Sequence, residues 1–208
     1  MKGPQIHEIF KVPIYSVKLS LDLTKFERFS HLQSLERFCT NYKDSNEGRI
    51  ISNVGGYQSD DLQLDEPVLE TLIDEIEKHA NQFAKGFINT ECCNNQIVDN
   101  IWFNINGHKD FNKSHNHPKT DIAGVCYITT PENCGNLVFE HPAINVLSYY
   151  DCDGKIEHYN DYNSSTWEIK PSINNLHLFP AWLNHYVSPN ENETGPRISF
   201  SFNTTQQE

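Results

Sequence analysis

Residues 195–203 read GPRISFSFN, and the alternation of polar and apolar residues in this stretch decides the fold class. Successive side chains of a β-strand point to opposite faces of its sheet. The stretch therefore predicts a strand with one apolar face in a core and one polar face outside it. The polar face holds Arg197, Ser199, Ser201 and Asn203, and the apolar face holds Ile198, Phe200 and Phe202.

Further short segments rich in β-branched and aromatic residues fill the chain after residue 95, separated by Gly, Pro and Asn. Several short strands with such turn signals are typical of an all-β sandwich or barrel. The expected strands lie within residues 97–107, 123–130, 135–142, 144–150, 165–171, 174–180 and 197–205.

The first 95 residues have a different pattern. An alternating strand is expected within residues 1–20, and residues 53–64 should form a loop. Apolar residues spaced by three or four predict helices over residues 22–43 and 66–88, with His79 as a core residue of the second helix. We therefore expect a mainly β chain with N-terminal helices. Its single domain, 1–208, would combine a strand plus helical buttress (1–95) with a β core (96–204).

Composition excludes several classes of function. The 208-residue chain has a net charge of −12 and no cluster of Lys or Arg, which disfavours nucleic-acid binding and adhesion to an anionic membrane. No apolar run approaches the roughly 20 residues that a membrane span needs. The N-terminus lacks the apolar segment of a secretory signal, and the six cysteines lack paired C-x-x-C spacing. We therefore expect a cytoplasmic protein with reduced thiols.

Residues 111–124, FNKSHNHPKTDIAG, contain an H-x-H pair. If this segment is extended, His115 and His117 point to the same face, and neutral imidazole is the commonest metal ligand. The pair alone is equally consistent with two surface histidines. His185, in LHLFPAWLNHYVSPN, precedes a late strand that can lie beside an early one in a rolled sheet. In that arrangement His185 can reach His115 and His117. Alternatively, His185 is an interface histidine beside two aromatic residues.

Two histidines from one strand and one from a distant strand form a facial ligand set. Such a set leaves three positions open for oxygen and a chelating substrate, as in non-haem Fe(II) oxygenases. Arg197 inside a barrel is costly unless paired, and its guanidinium fork matches a carboxylate. A dicarboxylic acid can then chelate the metal at one end and meet Arg197 and Ser199 at the other. The alternative is an exposed Arg197 paired with Glu191 or Glu193.

Taken together, the H-N-H-P, GVCYI, LFPAWLNH and GPRISFSFN segments resemble the iron(II)/2-oxoglutarate-dependent oxygenases. Within them, the closest similarity is to a small prolyl-hydroxylase-like group of marine bacteria and phages, over residues 97–204. The resemblance implies a double-stranded β-helix, or jelly roll. It also implies a dioxygenase that uses Fe(II), 2-oxoglutarate and O2 to hydroxylate a C–H bond, with release of succinate and CO2. The expected location is the cytoplasm, and a phage-encoded enzyme of this kind would act in the cytoplasm of the host.

The resemblance assigns roles to individual residues. His115 and His185 would be iron ligands, and Arg197 with Ser199 would bind the distal carboxylate of 2-oxoglutarate. Tyr127, in GVCYITT, matches a position whose phenol reaches that carboxylate, although a core tyrosine is equally consistent with the sequence. The resemblance also places Asn104, in WFNIN, in the same cavity.

The chain departs from the family pattern at the second ligand, because the common motif is H-x-D and His117 replaces the Asp. Three interpretations follow. His117 coordinates the metal directly, or Asp121 supplies a carboxylate nearby, or His117 only orients a water or another ligand. We favour direct ligation, which gives a site of three histidines.

Two rival functions use the same residues. A cupin-type dioxygenase or isomerase would bind metal through His115, His117, Asp121 and His185 without 2-oxoglutarate. A non-catalytic β-sandwich interaction protein would carry the histidines as polar rim residues. The substrate, a protein, a peptide or a small molecule, and the oligomeric state are not predictable from the sequence.

Overall fold

The computed structural model describes residues 3, 5, 7, 9–20, 24–87, 95–145, 147 and 156–207. Two long helices and a series of mostly short strands make up this part of the chain. In order they are β1 (Tyr15–Lys18), α1 (Lys25–Ser45), β2 (Asn53–Val54), β3 (Tyr57–Gln58), α2 (Glu70–Phe87), β4 (Gln96–Asn106), β5 (Phe111–His115), β6 (Ile122–Thr129), β7 (Leu137–Glu140), β8 (Thr166–Ile169), β9 (Asn175–Pro180), β10 (His185–Val187) and β11 (Arg197–Gln206).

The described strands form two sheets in which neighbouring strands pair antiparallel. The six-stranded sheet has the order β1-β9-β6-β11-β4-β3, and the five-stranded sheet has the order β2-β5-β10-β7-β8. Strand β11 lies inside the larger sheet, between β4 and β6. The prediction of a mainly β chain with two N-terminal helices is confirmed.

The two faces of β11 explain how the layers pack. Its apolar face carries Phe200 and Phe202 into a core that also contains Ile76 and Phe83 of α2. Helix α2 contacts β4 and β9, so this helix covers the outer face of the six-stranded sheet. The polar face of β11 lines a cavity between the two sheets. His79 is buried on α2, as expected.

The predicted loop over residues 53–64 is wrong in part, because β2 and β3 lie within it. Gly55 and Gly56 join these strands with φ values of 66° and 62°, which glycine adopts without steric cost. Strand β2 pairs with β5 and strand β3 with β4, so the turn carries the chain from one sheet to the other. Strands of two residues show no sequence periodicity, which is why the pattern did not predict them.

The predicted strand over residues 144–150 is also wrong where the structure describes it. Ile144, Asn145 and Leu147 are helical, and Leu147 N donates to Ala143 O over 3.0 Å. His141 Nδ1 accepts a hydrogen bond from Ala143 N, which caps this turn. The remaining residues of that prediction lie outside the described residues.

No helix in the described part of the chain is long and apolar enough to span a membrane.

Gly124 in β6 provides a test of the packing beneath β11. A Cβ atom at this position would lie 2.3 Å from Phe202 Cζ and 2.8 Å from Leu178 Cδ2, both in fully buried side chains. We expect Gly124→Ala to lower the free energy of unfolding by about 1–3 kcal/mol in urea titrations. Gly86→Ala is the control, since no atom lies within 4 Å of its added Cβ on exposed α2 surface. Equal stability of the two variants would contradict this packing.

His177 provides a test of pH dependence. It is buried opposite Ser16, and burial lowers the pKa of His177 from 6.5 to about 4. Between pH 6.5 and about pH 4, His177 is protonated in the unfolded chain but neutral in the folded protein. The free energy of unfolding therefore falls as the pH is lowered through this range, and His177 does not reduce it above pH 6.5. The full effect is on the order of 3 kcal/mol. Denaturant titrations of His177→Gln should show a shallower loss of stability over this range, while exposed His108→Gln should follow the wild type.

Candidate active site

The pairing of β10 with β5 brings the three predicted histidines together. His185 opens β10 and lies directly opposite His115, the last residue of β5. His117 follows beyond the end of β5, where its backbone N donates to Ala181 O over 2.9 Å. One ring nitrogen of each histidine lies within 4.8 Å of the other two. In the described residues this is the cluster of His, Cys, Asp and Glu groups that can hold a metal ion.

An oxygen atom contacts the Nδ1 atom of each histidine. His115 Nδ1 lies 2.7 Å from Lys113 O, and His185 Nδ1 lies 2.9 Å from Leu183 O. His117 Nδ1 lies 2.5 Å from Asn203 Oδ1. Because these oxygens only accept, Nδ1 carries the proton in all three rings and the Nε2 atoms keep their lone pairs.

The histidines are held in the neutral state that metal binding requires. Burial, together with the neighbouring His115 and His117, lowers the pKa of His185 to about 3. Burial also lowers the pKa of His117 to about 4, against the hydrogen bond to Asn203. The pKa of His115 is lowered by burial as well. Three neutral imidazoles are therefore available near pH 7.

This arrangement fits a divalent transition metal such as Fe(II). Imidazole nitrogens suit iron, and His117 Nε2 is a buried nitrogen without a hydrogen-bond partner in the described structure. A bound metal would satisfy that orphaned lone pair. The carboxylate of Asp121 is engaged elsewhere, because its Oδ2 accepts from Gln96 Nε2 over 3.1 Å and from Gln206 N over 3.0 Å. Asp121 does not line the cavity that contains the histidines.

The histidines share a cavity of about 260 Å³ with all four residues expected to bind 2-oxoglutarate. Ser199 of β11 lies opposite Asn104 of β4 on one side and opposite Tyr127 of β6 on the other. Arg197 lies at the start of β11, on the same face of the strand as Ser199. The four side chains therefore form one polar patch across three neighbouring strands.

Arg197 is almost completely buried, at 1% exposure. Its Nη1 donates to Cys134 O over 2.6 Å, and no carboxylate of the described residues lies within the 4.0 Å of a salt bridge. The alternative of an exposed Arg197 paired with Glu191 or Glu193 is wrong, because Arg197 is buried and Glu191 pairs with Lys109. A buried guanidinium without a counter-ion is a strong site for an anionic ligand.

The side chains beside Arg197 can donate to the same anion. Burial raises the pKa of Tyr127 to about 12, against the charge of Arg197, so its hydroxyl keeps its proton. Asn104 Nδ2 donates to Ser201 Oγ over 3.3 Å, and Asn104 Oδ1 is buried without a partner in the described structure.

Sequence reasoning missed several residues around His117. The ring of Trp102 stacks on His117 with a centroid distance of 5.7 Å and an interplanar angle of 25°. Asn203 was placed on the polar face of β11, but its bond to His117 was not predicted. Arg49 also lines the cavity, and nothing in its surrounding sequence indicates this.

Comparison with solved structures identifies the fold. A prolyl-4-hydroxylase from Pseudomonas putida is 12% identical, with a TM-score of 0.63 over 95% of this chain and 94% of that one. The viral collagen prolyl hydroxylase of Paramecium Bursaria Chlorella virus-1, in complex with 2-oxoglutarate, is 14% identical, with a TM-score of 0.54 over 92% and 96% of the chains. Iron-bound HygX from Streptomyces hygroscopicus is 10% identical, with a TM-score of 0.57 over 95% and 85%. At these identities the likeness is one of fold, and the expected jelly-roll core is confirmed.

Comparison of the sequence identifies the family. No curated protein matches the chain. The model of a family described as "Putative 2OG-Fe(II) oxygenase" matches residues 100–203, half of the chain, which include all the candidate metal and cosubstrate residues. The chain therefore belongs to the 2OG-Fe(II) oxygenase family, whose members depend on Fe(II) and 2-oxoglutarate.

Proposed function

We propose that His115, His117 and His185 bind Fe(II) through their Nε2 atoms, and that Arg197 binds the distal carboxylate of 2-oxoglutarate. One observation carries this proposal: a single cavity contains three converging neutral imidazoles and a buried guanidinium that has no carboxylate partner among the described residues. The first group suits a transition metal and the second suits a carboxylate. A keto acid with a second carboxylate satisfies both.

The polar face of β11 gives this site its length. Arg197 begins the face, and Asn203, which contacts His117, ends it. In our proposal Ser199 and Tyr127 donate hydrogen bonds to the carboxylate beside Arg197, and Asn104 lines the same part of the cavity. A ligand bound along this face reaches from the guanidinium towards the three histidines.

We propose His117, and not Asp121, as the third metal ligand. The ring of His117 faces the other two histidines, with centroid distances of 5.2 Å to His115 and 5.1 Å to His185. Asp121 accepts hydrogen bonds from Gln96 and Gln206 outside the cavity, so its use as a ligand would break both. The family match and the position of Asp121 both count against the cupin hypothesis, and the family match counts against a non-catalytic sandwich.

The residues of this chain would bind and orient the metal and 2-oxoglutarate, and shield both from water. Bound Fe(II), together with 2-oxoglutarate and O2, supplies oxidising chemistry that no side chain has. Val125, Leu137 and Phe179 line the same cavity and limit the access of water to it. Phe179 also contacts the His185 ring edge-on at 4.6 Å, which fixes the orientation of that ligand.

We propose that the enzyme hydroxylates a C–H bond of a protein, a peptide or a small molecule. Two relatives in fold are prolyl hydroxylases, and a third, from Trichoplax adhaerens, was solved with a peptide fragment. The cytoplasmic location and the single-domain organisation remain predictions from the sequence.

The activity is tested by formation of succinate. We expect protein supplied with Fe(II), 2-oxoglutarate and O2 to release succinate even without its substrate. His115→Ala and His185→Ala should each abolish this turnover and weaken anaerobic Fe(II) binding by at least about a hundredfold. His108→Ala, at an exposed position outside the cavity, is the matched control. A wild-type protein that forms no succinate and binds no 2-oxoglutarate would refute the proposed function.

The carboxylate site is tested separately. We expect Arg197→Ala to raise the Kd of 2-oxoglutarate about 30-fold or more in anaerobic calorimetry, because it removes a buried charged partner of the ligand. The Kd of Fe(II) measured without 2-oxoglutarate should stay the same. Arg197→Lys keeps the positive charge but loses the bidentate guanidinium, so its Kd for 2-oxoglutarate should lie between those of the wild type and Arg197→Ala. Wild-type affinity in Arg197→Ala, with its fold verified by circular dichroism, would remove Arg197 from the site.

A further inference from the structure

A chain of hydrogen bonds joins His117 to a carboxylate near the protein surface. His117 Nδ1 lies 2.5 Å from Asn203 Oδ1, and Asn203 Nδ2 donates to Asn100 Oδ1 over 2.8 Å. Asn100 Nδ2 in turn donates to Asp61 Oδ1 over 3.2 Å. Asn203 and Asn100 are register partners on β11 and β4, so the sheet itself holds the two amides together.

Hydrogen bonds along this chain are donated in one direction, which the Asp61 carboxylate determines. An ionised carboxylate only accepts hydrogen bonds, so Asn100 must turn its Nδ2 towards Asp61 and its Oδ1 towards Asn203. Asn203 must then turn its Nδ2 to Asn100 and its Oδ1 to His117. An oxygen at that position requires the proton of His117 on Nδ1, which leaves the Nε2 lone pair free.

We propose that Asp61, acting through Asn100 and Asn203, fixes the tautomer of His117 and so presents its Nε2 atom to the metal. The three are positioning residues, because in this proposal they act through His117 and none of them is a metal ligand. This inference rests on the proposed function for its metal, but the tautomer itself is a property of the metal-free protein.

His117 needs such a chain because it lacks what the other two ligands have. His115 and His185 each place Nδ1 against the backbone carbonyl two residues earlier, at Lys113 and Leu183. Those backbone oxygens cannot rotate away. The partner of His117 is an amide side chain, which can turn over and offer Nδ2 instead. A turned amide would favour the proton on Nε2 and block that nitrogen as a ligand.

The stacking partner of His117 leads to the same carboxylate. Trp102 stacks on the His117 ring, and the Arg49 guanidinium lies 5.7 Å from the centre of the Trp102 ring. Arg49 Nη2 contacts Asp61 Oδ1 at 2.5 Å. The edge and the face of His117 are therefore both supported by side chains that end at Asp61, and this closed ring resists rotation of the imidazole.

Nitrogen NMR of metal-free, 15N-histidine-labelled protein tests the tautomer, with His117 assigned from His117→Gln. We expect one Nδ1–H tautomer for His117 in the wild type. Asn203→Ala and Asp61→Ala should each give a mixture of both tautomers. Co(II), titrated anaerobically as the probe metal, should bind both variants about 10- to 100-fold more weakly than the wild type. Asp61 is half exposed, so its variant should fold even if Asn203→Ala does not.

Two control variants separate the chain from other effects. Arg49→Gln removes the ion pair but keeps the carboxylate, so the single tautomer should persist. Thr205→Ala changes the same strand at a position that does not line the cavity, and it should behave as the wild type. Mixing of tautomers in Arg49→Gln to the extent seen in Asp61→Ala would overturn the inference in favour of the ion pair.

The results also distinguish failure of this inference from failure of the proposed function. A single Nδ1–H signal and unchanged Co(II) affinity in Asp61→Ala would overturn the inference while leaving the metal site intact. A wild-type protein with the Nδ1–H tautomer, mixed tautomers in Asp61→Ala and no Co(II) binding would support the chain and refute the metal site.

Discussion

The antiparallel register between β5 and β10 is the interaction on which the site depends. It places His185 opposite His115, although the two residues are far apart in the sequence. Two backbone hydrogen bonds secure the neighbouring segments: His117 N donates to Ala181 O, and Ala181 N donates to Asp121 O. A slip of one residue would turn His185 away from the cavity, because adjacent residues of a strand face opposite sides. The candidate metal site is therefore as well defined as the sheet pairing that builds it.

The cavity contains polar groups that folding alone does not favour. Among the described residues, Arg197 has no carboxylate within salt-bridge distance, and His117 Nε2, Asn104 Oδ1 and Gln58 Oε1 are buried in this cavity without hydrogen bonds. Each such group costs free energy when it leaves water. The apolar cluster on the other side of the six-stranded sheet offsets this cost, through side chains such as Phe103, Phe200 and Phe202. Several unsatisfied polar groups that face one cavity, with the apolar core packed on the other side of the sheet, suit the binding of a polar ligand.

A site of three neutral histidines changes the balance of charge around the metal. None of the three rings brings a negative charge, so in our proposal 2-oxoglutarate supplies all the anionic ligands. Binding of the metal and of the dicarboxylate should then favour each other more strongly than in a site with an Asp ligand. The carboxylate of the hydrogen-bond chain, Asp61, is separated from His117 by two amides, so in our inference it orients His117 and is not itself a metal ligand.

The sequence by itself determined the class of fold and most of the candidate site. Alternation in GPRISFSFN predicted the two faces of β11, and the H-x-H pair with a later histidine predicted the cluster of three histidines, because strand periodicity and ligand chemistry are local properties. Only the tertiary structure supplies an argument for proposing His117 over Asp121, since it places the Asp121 carboxylate against the side chain of Gln96 and the backbone of Gln206. It also revealed β2, β3 and the route from His117 to Asp61. These contacts join residues from separate strands and loops, and no local pattern in a sequence encodes the spatial meeting of two distant amides.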